Sequence, residues 1–197
     1  MKGMRDKGMD DVDRKLIARL QIDGRTTFEE LGHITGYTSM GAKKRVGRLL
    51  ESGAIKVSAL LSPKHLGLCP AIVLMETDGP EAMQRLLRRF EDCPRVVHIF
   101  TTIGGYNMIA LVVAENQSTL ESISMEKCSL RSERGIRRSE FYPIRDIHYS
   151  PFVPVREYLA RRDLSTPPCN VDCRSCRRYK SKECVGCPAT EYYRGPL

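Results

Sequence analysis

A chain of 197 residues that is 41% hydrophobic can bury a real core in one large or two small domains. Its formal net charge of +8 is uneven, with +5 on residues 1–66, −1 on 67–160 and +4 on 161–197. Two basic ends around a neutral middle point to an anionic partner for the ends, and the longest apolar run, Met108 to Ala114, is too short for a bilayer helix.

The N-terminus is charged and lacks the apolar core of a signal peptide, which predicts a cytoplasmic protein. Its eight cysteines are then thiols or metal ligands rather than disulfides. Asp11 to Ile22 reads as a first helix, with Val12, Leu16, Ile17 and Leu20 on its buried side. A second starts at Thr26 or Thr27, where Thr26 with Glu29, or Thr27 with Glu30, makes a capping box. Phe28, Leu31 and Ile34 form its apolar face.

The third helix runs from an N-cap at Thr38 to Ser52, with Gly53 in a left-handed cap. Ala42, Val46, Leu49 and Leu50 share one face. The opposite face carries Met40, Gly41, Lys44, Gly47 and Arg48, flanked by Lys43 and Arg45. A narrow cationic face suits a DNA major groove, although a solvated charged helix has the same pattern. The short Gly-containing turn before it makes a helix-turn-helix, and the strand-like Ala54 to Leu61 reads as a wing. This fold-plus-charge pattern assigns double-stranded DNA as partner. Contacts are expected from Ser39, Met40, Lys43, Lys44, Arg45 and Arg48, lysines on phosphates and arginines also on guanine edges.

Residues 10–25 (Asp-Asp-Val-Asp-Arg-Lys-Leu-Ile-Ala-Arg-Leu-Gln-Ile-Asp-Gly-Arg) resemble the opening of the Lrp/AsnC family of transcriptional regulators. The likeness continues through Lys44-Arg45-Val46-Gly47-Arg48-Leu49 and Gly53-Ala54-Ile55, and extends to about residue 148. It implies a winged-helix domain, a linker, and a regulatory domain that dimerises and binds amino acids. In that family the turn at Gly104, Gly105, Tyr106 and Asn107 belongs to the effector site and often carries acids that help to hold an amino group. Here Gly105 and Asn107 stand where acids are common, so the turn is poorer at holding ammonium.

The middle of the chain reads as strand Pro70–Glu76, helix Pro80–Phe90, strands Val96–Phe100 and Asn107–Ala114, a weaker helix Ser118–Cys128, and a strand from Ile136 to Ile147. The order βαββαβ is ferredoxin-like, giving an α+β chain. One sheet face is covered by the chain's own helices, and a second copy is the economical cover for the other, predicting a homodimer or higher oligomer. The expected boundaries are 1–60 (winged helix-turn-helix), 61–68 (linker), 69–150 (regulatory and dimerisation domain), 151–168 (connection, with a short helix from Val155 to Arg162) and 169–197 (tail).

The tail holds Cys169, Cys173, Cys176, Cys184 and Cys187 in the pattern Cys-x3-Cys-x2-Cys-x7-Cys-x2-Cys-Pro. Paired Cys-x-x-Cys turns grip metal, and thiolates favour zinc or iron–sulfur. Zinc through Cys173, Cys176, Cys184 and Cys187 is the simplest reading. A four-iron (4Fe-4S) cluster held by four of the five is the alternative, and Cys187-Pro188 echoes ferredoxin spacing. Arg174, Arg177, Arg178, Lys180 and Lys182 would offset the thiolate charge. Cys69, Cys93 and Cys128 read as buried small hydrophobes.

The expected function is a dimeric, sequence-specific, non-enzymatic DNA-binding regulator. It would respond to a small-molecule effector, to metal or redox state at the tail, or to both. Siroheme decarboxylases share the domain plan, but they need histidines and arginines gathered around a tetrapyrrole. His33, His65, His98 and His148 are scattered. A redox-responsive interaction protein is the other alternative.

Overall fold

The computed structural model describes residues 8–197. The first seven residues of the expected 1–60 domain lie outside that range. The chain divides into two compact units, one ending at Ala59 and the other running from Leu60 to Leu197.

The first unit is three helices, α1 (Asp11–Ile22), α2 (Phe28–Thr35) and α3 (Ser39–Glu51). Each start is set by a side chain that accepts a first-turn amide: Asp10 from Asp13 at 2.8 Å, Thr27 from Glu30 at 3.2 Å, and Thr38 from Gly41 at 3.1 Å. Thr27 is therefore the start of the second helix, with Glu30 as its capping-box partner position. Gly53 takes φ +74°, the left-handed conformation expected after α3. Leu16, Leu31, Ala42 and Val46 meet in the centre, with Val12 and Leu20 at its edge. Burying a Leu of this kind contributes about 1.5–3 kcal/mol. Leu50, expected on the inner face, is 42% exposed.

The expected wing does not form. Residues 54–60 take no strand conformation, and Leu61 makes an isolated antiparallel bridge to Val153 within the second unit. A strand is stabilised only by a paired neighbour, and the described part of the first unit offers no other extended segment.

The second unit is built on β1 (Cys69–Thr77), α4 (Pro80–Arg89), β2 (Val96–Thr101), β3 (Met108–Ala114), α5 (Gln117–Met125) and β4 (Ile136–Pro143). The order across the sheet is β2-β3-β1-β4, antiparallel throughout, as the ferredoxin-like reading requires. Alternate residues Ala71, Val73 and Met75 of β1 face inward and pack with Met108, Ala110 and Val112 of β3 and with Leu86, Phe90 and Leu120 from the helical layer. β4 ends at Pro143, four residues earlier than expected, and Ile147 instead joins Val97, Val113, Val153 and Val155 in a second, smaller cluster. The chain's own connection therefore covers part of the outer sheet face. The short helix expected from Val155 to Arg162 is a single 3-10 turn, Glu157–Leu159.

Candidate functional site

On α3, Ser39, Met40, Lys43 and Lys44 are exposed, with Met40 at 72%. Arg45 and Arg48 behave differently. Asp13 of α1 is fully buried, and its carboxylate accepts from Arg45 Nη1 at 3.0 Å and from Arg48 Nη2 at 2.6 Å. Arg45 also donates to Asp10 at 2.7 Å and to the Tyr37 hydroxyl at 3.2 Å, and lies over the Tyr37 ring. Those partners hold its guanidinium firmly in the charged state, the Asp10 bond foremost. Arg45 is thus a strut between α1 and α3, while Arg48 stays exposed and keeps donors free for a ligand.

The turn at residues 103–107 is furnished inwardly. Asn107 accepts from the Thr77 amide at 2.9 Å and donates to the Thr77 carbonyl at 3.1 Å, so its side chain is spent on the sheet. The Tyr106 and Tyr142 hydroxyls both donate to Glu140, which holds that carboxyl below the usual range. Arg138 stacks on Tyr106 and donates to the Gly105 carbonyl at 3.4 Å. Gly104 and Gly105 contribute backbone alone.

Six of the cysteines line one partly open pocket of about 50 Å3. Its wall carries Cys169, Cys173, Cys184 and Cys187 of the tail together with Cys93 and Cys128 of the ferredoxin-like core. Cys93 lies in the turn between α4 and β2, and Cys128 in the turn after α5, so two adjacent connections of the helical layer deliver them. Burial pushes the Cys173 and Cys187 thiols up to about 12, and raises those of Cys93 and Cys128 as well. All eight cysteines are free thiols. Among the described residues, no three His, Cys, Asp or Glu side chains meet at a single metal-binding point.

Cys93 and Cys128 pack against the hydrophobic core, as expected, and also share the pocket wall with the tail thiols. Cys176 lines a neighbouring groove with Cys128, Cys173 and Cys184 and packs beside Cys173 and Cys187. The cation at the cavity is not from the tail. Arg95 forms a two-pronged pair with Glu115, with Nη2 at 2.7 Å and Nε at 3.1 Å from Oε2, and both side chains are buried. Arg95 Nη2 also donates to the Gly186 carbonyl at 2.6 Å, and Tyr193 donates to Glu115 at 2.6 Å. Gly186 has φ +89°, a conformation that side chains rarely adopt, and this aims its carbonyl at Arg95. Arg178 faces α5, donating to Ser122 at 2.6 Å and to the Ser118 carbonyl at 3.0 Å. Arg174 pairs with Asp172 at 3.1 Å. Spacing along the chain revealed the tail thiols, because they are local. It could not reveal Cys93, Arg95, Glu115 or Cys128, whose partners are far away in sequence.

The arrangement matches known proteins. Residues 9–50 match the AsnC-type helix-turn-helix domain and residues 70–145 the Lrp/AsnC ligand binding domain. The transcriptional regulator Rv2324 of Mycobacterium tuberculosis is 33% identical over 134 residues, covering 67% of this chain and 88% of its own. The regulator FL11 of Pyrococcus furiosus is 30% identical over 116 residues, covering 58% of this chain and 76% of its own. A crystal structure of the leucine response regulatory protein of Mycobacterium tuberculosis superposes with a TM-score of 0.61 at 26% identity, covering 72% of this chain and 96% of that one. No helix among the described residues is long and apolar enough to cross a membrane. Both family matches stop by residue 145, so the cysteine tail lies outside them. The chain belongs to the Lrp/AsnC family of helix-turn-helix transcriptional regulators.

Proposed function

We propose that this regulator binds double-stranded DNA sequence-specifically as a homodimer, and that a metal centre at the cysteine tail sets its activity. The observation that carries the DNA reading is the outward side of α3, where Ser39, Met40, Lys43 and Lys44 stand free on a helix braced from behind by Asp13. Lysines at that position anchor phosphates, and the free donors of Arg48 can reach a guanine edge. Arg45 contributes by holding α3 in place.

Between the two candidate signal sites, the cysteine cavity is the better furnished. The polar side chains at the Tyr106–Asn107 turn already have partners in Glu140 and Thr77. The thiols have only weak backbone partners, such as the Val171 carbonyl 3.9 Å from Cys173 Sγ, and a cluster of such thiols is the chemistry that soft metals select. The dimer reading rests on the apolar outer face of the sheet, which the family's plan would pair with a second copy.

The test of DNA binding uses an operator selected from random-sequence duplex by the full-length protein. Replacing Lys43 and Lys44 together by Ala should weaken binding and flatten its salt dependence by about one to two units of slope. Arg48→Ala should relax base preference at one position, at a cost of about 1–3 kcal/mol. Unchanged affinity and salt slope in the double lysine variant would overturn the assignment.

A further inference from the structure

We propose that the cavity between the ferredoxin-like core and the tail is the seat of an iron–sulfur cluster held jointly by both, with Cys93 and Cys128 among the ligands. This rests on the reading of the tail as metal-binding and goes further, naming the kind of centre and moving half of its frame into the core.

Four observations carry it. Six of the chain's eight cysteines line one cavity, and they come from four separate turns of the unit. Core packing places Cys93, Cys128 and Cys169 together, and the pocket sets them beside Cys173, Cys184 and Cys187. Next, the thiols stand around a volume. Tetrahedral zinc needs four sulfurs about 2.3 Å from one point. A cluster of four irons and four sulfides takes its thiolates at separate corners, so its ligands surround a space. The 50 Å3 available between them is several times the roughly 10–15 Å3 that one water needs.

The rest of the wall is apolar, with Val73, Phe90, Leu130 and Phe141. Such a lining keeps water from the sulfides and controls access to the centre. Finally, the thiolate-ligated cluster would carry negative charge in a dry site, and that is costly without a cation. Arg95 stands on the wall as that cation, buried and fixed by Glu115 and by the Gly186 carbonyl beside Cys187. Cys69 lines a different groove with Pro63 and Leu120, so it serves as an internal control.

The test begins with full-length protein purified without oxygen and reconstituted with ferrous iron and sulfide. Iron, sulfide and zinc are then measured alongside the visible spectrum. About four irons and four sulfides per chain are expected, with a broad visible band. Cys69→Ser should retain them. The pair Cys93→Ser with Cys128→Ser should lose the band, or bleach in air at least about tenfold faster. Because a buried hydroxyl can itself unfold a core, Cys93→Ala with Cys128→Ala is made in parallel. Both pairs are compared with the parent by circular dichroism in the metal-free state. If either pair folds and holds a cluster as stable as the parent's, the core ligands are overturned and the tail alone is the site. If the parent takes one zinc and no iron under these conditions, the cluster is overturned while a metal-binding tail stands. If it takes neither metal, both readings fall, and the DNA-binding assignment is untouched.

Discussion

At the scale of single residues, Asp13 shows how one buried carboxylate redirects a helix that looks uniformly basic. From spacing alone Arg45 and Arg48 belong with the lysines on the outer surface of α3. In the structure both turn toward α1, because Asp13 is fully buried and a buried carboxylate must be met by cations or hydrogen-bond donors. Arg45 is further held by Asp10 and Tyr37, leaving Arg48 the more available of the two. Asp13→Ala should therefore destabilise the helical unit by about 1–3 kcal/mol, the usual range for hydrogen bonds to charged groups. In a double-mutant cycle of Asp13→Ala with Arg45→Ala, read by chemical denaturation, the coupling should be about 0.5–3 kcal/mol. Simple additivity would mean that the contact does not hold the helices together.

At the scale of elements, the parts read correctly from the sequence are those decided locally. The cap at Thr38, the Thr27 alternative for the second helix and the Pro-led start of α4 depend on neighbours within a turn. The wing failed for the opposite reason. Ala54 to Leu61 has strand chemistry, but whether it becomes a strand depends on a distant partner. The cysteine site divides along the same line: the tail thiols are legible as a spacing pattern, while Cys93, Cys128 and the Arg95–Glu115 pair emerge only when the tail docks. That docking rests on a buried ion pair, and removing one member strands the other. Glu115→Ala should cost about 3–5 kcal/mol in denaturant titrations. Arg95→Met with Glu115→Leu should recover part of that loss, since apolar replacements of similar volume fill the site without stranded charge. A double variant no better than Glu115→Ala alone would contradict this account.

At the scale of the whole molecule, the sheet register explains the expected assembly. Paired positions share a face, so Phe100, Ile109, Leu74 and Glu140 line up across the four strands on the side away from α4 and α5. The neighbouring row brings His98, Leu111, Ile72 and Tyr142 onto the same face. Phe100 is 52% exposed and Tyr142 51% in the single chain. The connection through Ile147 and Val153 covers the part of the face at Val97, Leu111 and Val113 and leaves Phe100 and Tyr142 exposed. An exposed apolar row of this kind marks an association surface. Light scattering should give twice the 22.3 kDa chain mass or a multiple of that. Phe100→Asp should shift it to the monomer at micromolar concentration, by placing a charge in the apolar row. A parent protein that is already monomeric there would refute the dimer.

The wall of the cysteine cavity has a consequence for how the protein is made. Its core half is complete once β4 ends at Pro143, but its other half arrives with Cys187, about 44 residues later. At about 5–20 residues per second, that is roughly 2–9 s of synthesis. The core half of the wall is therefore made before the tail that faces it, and Cys93 and Cys128 gain their tail neighbours last.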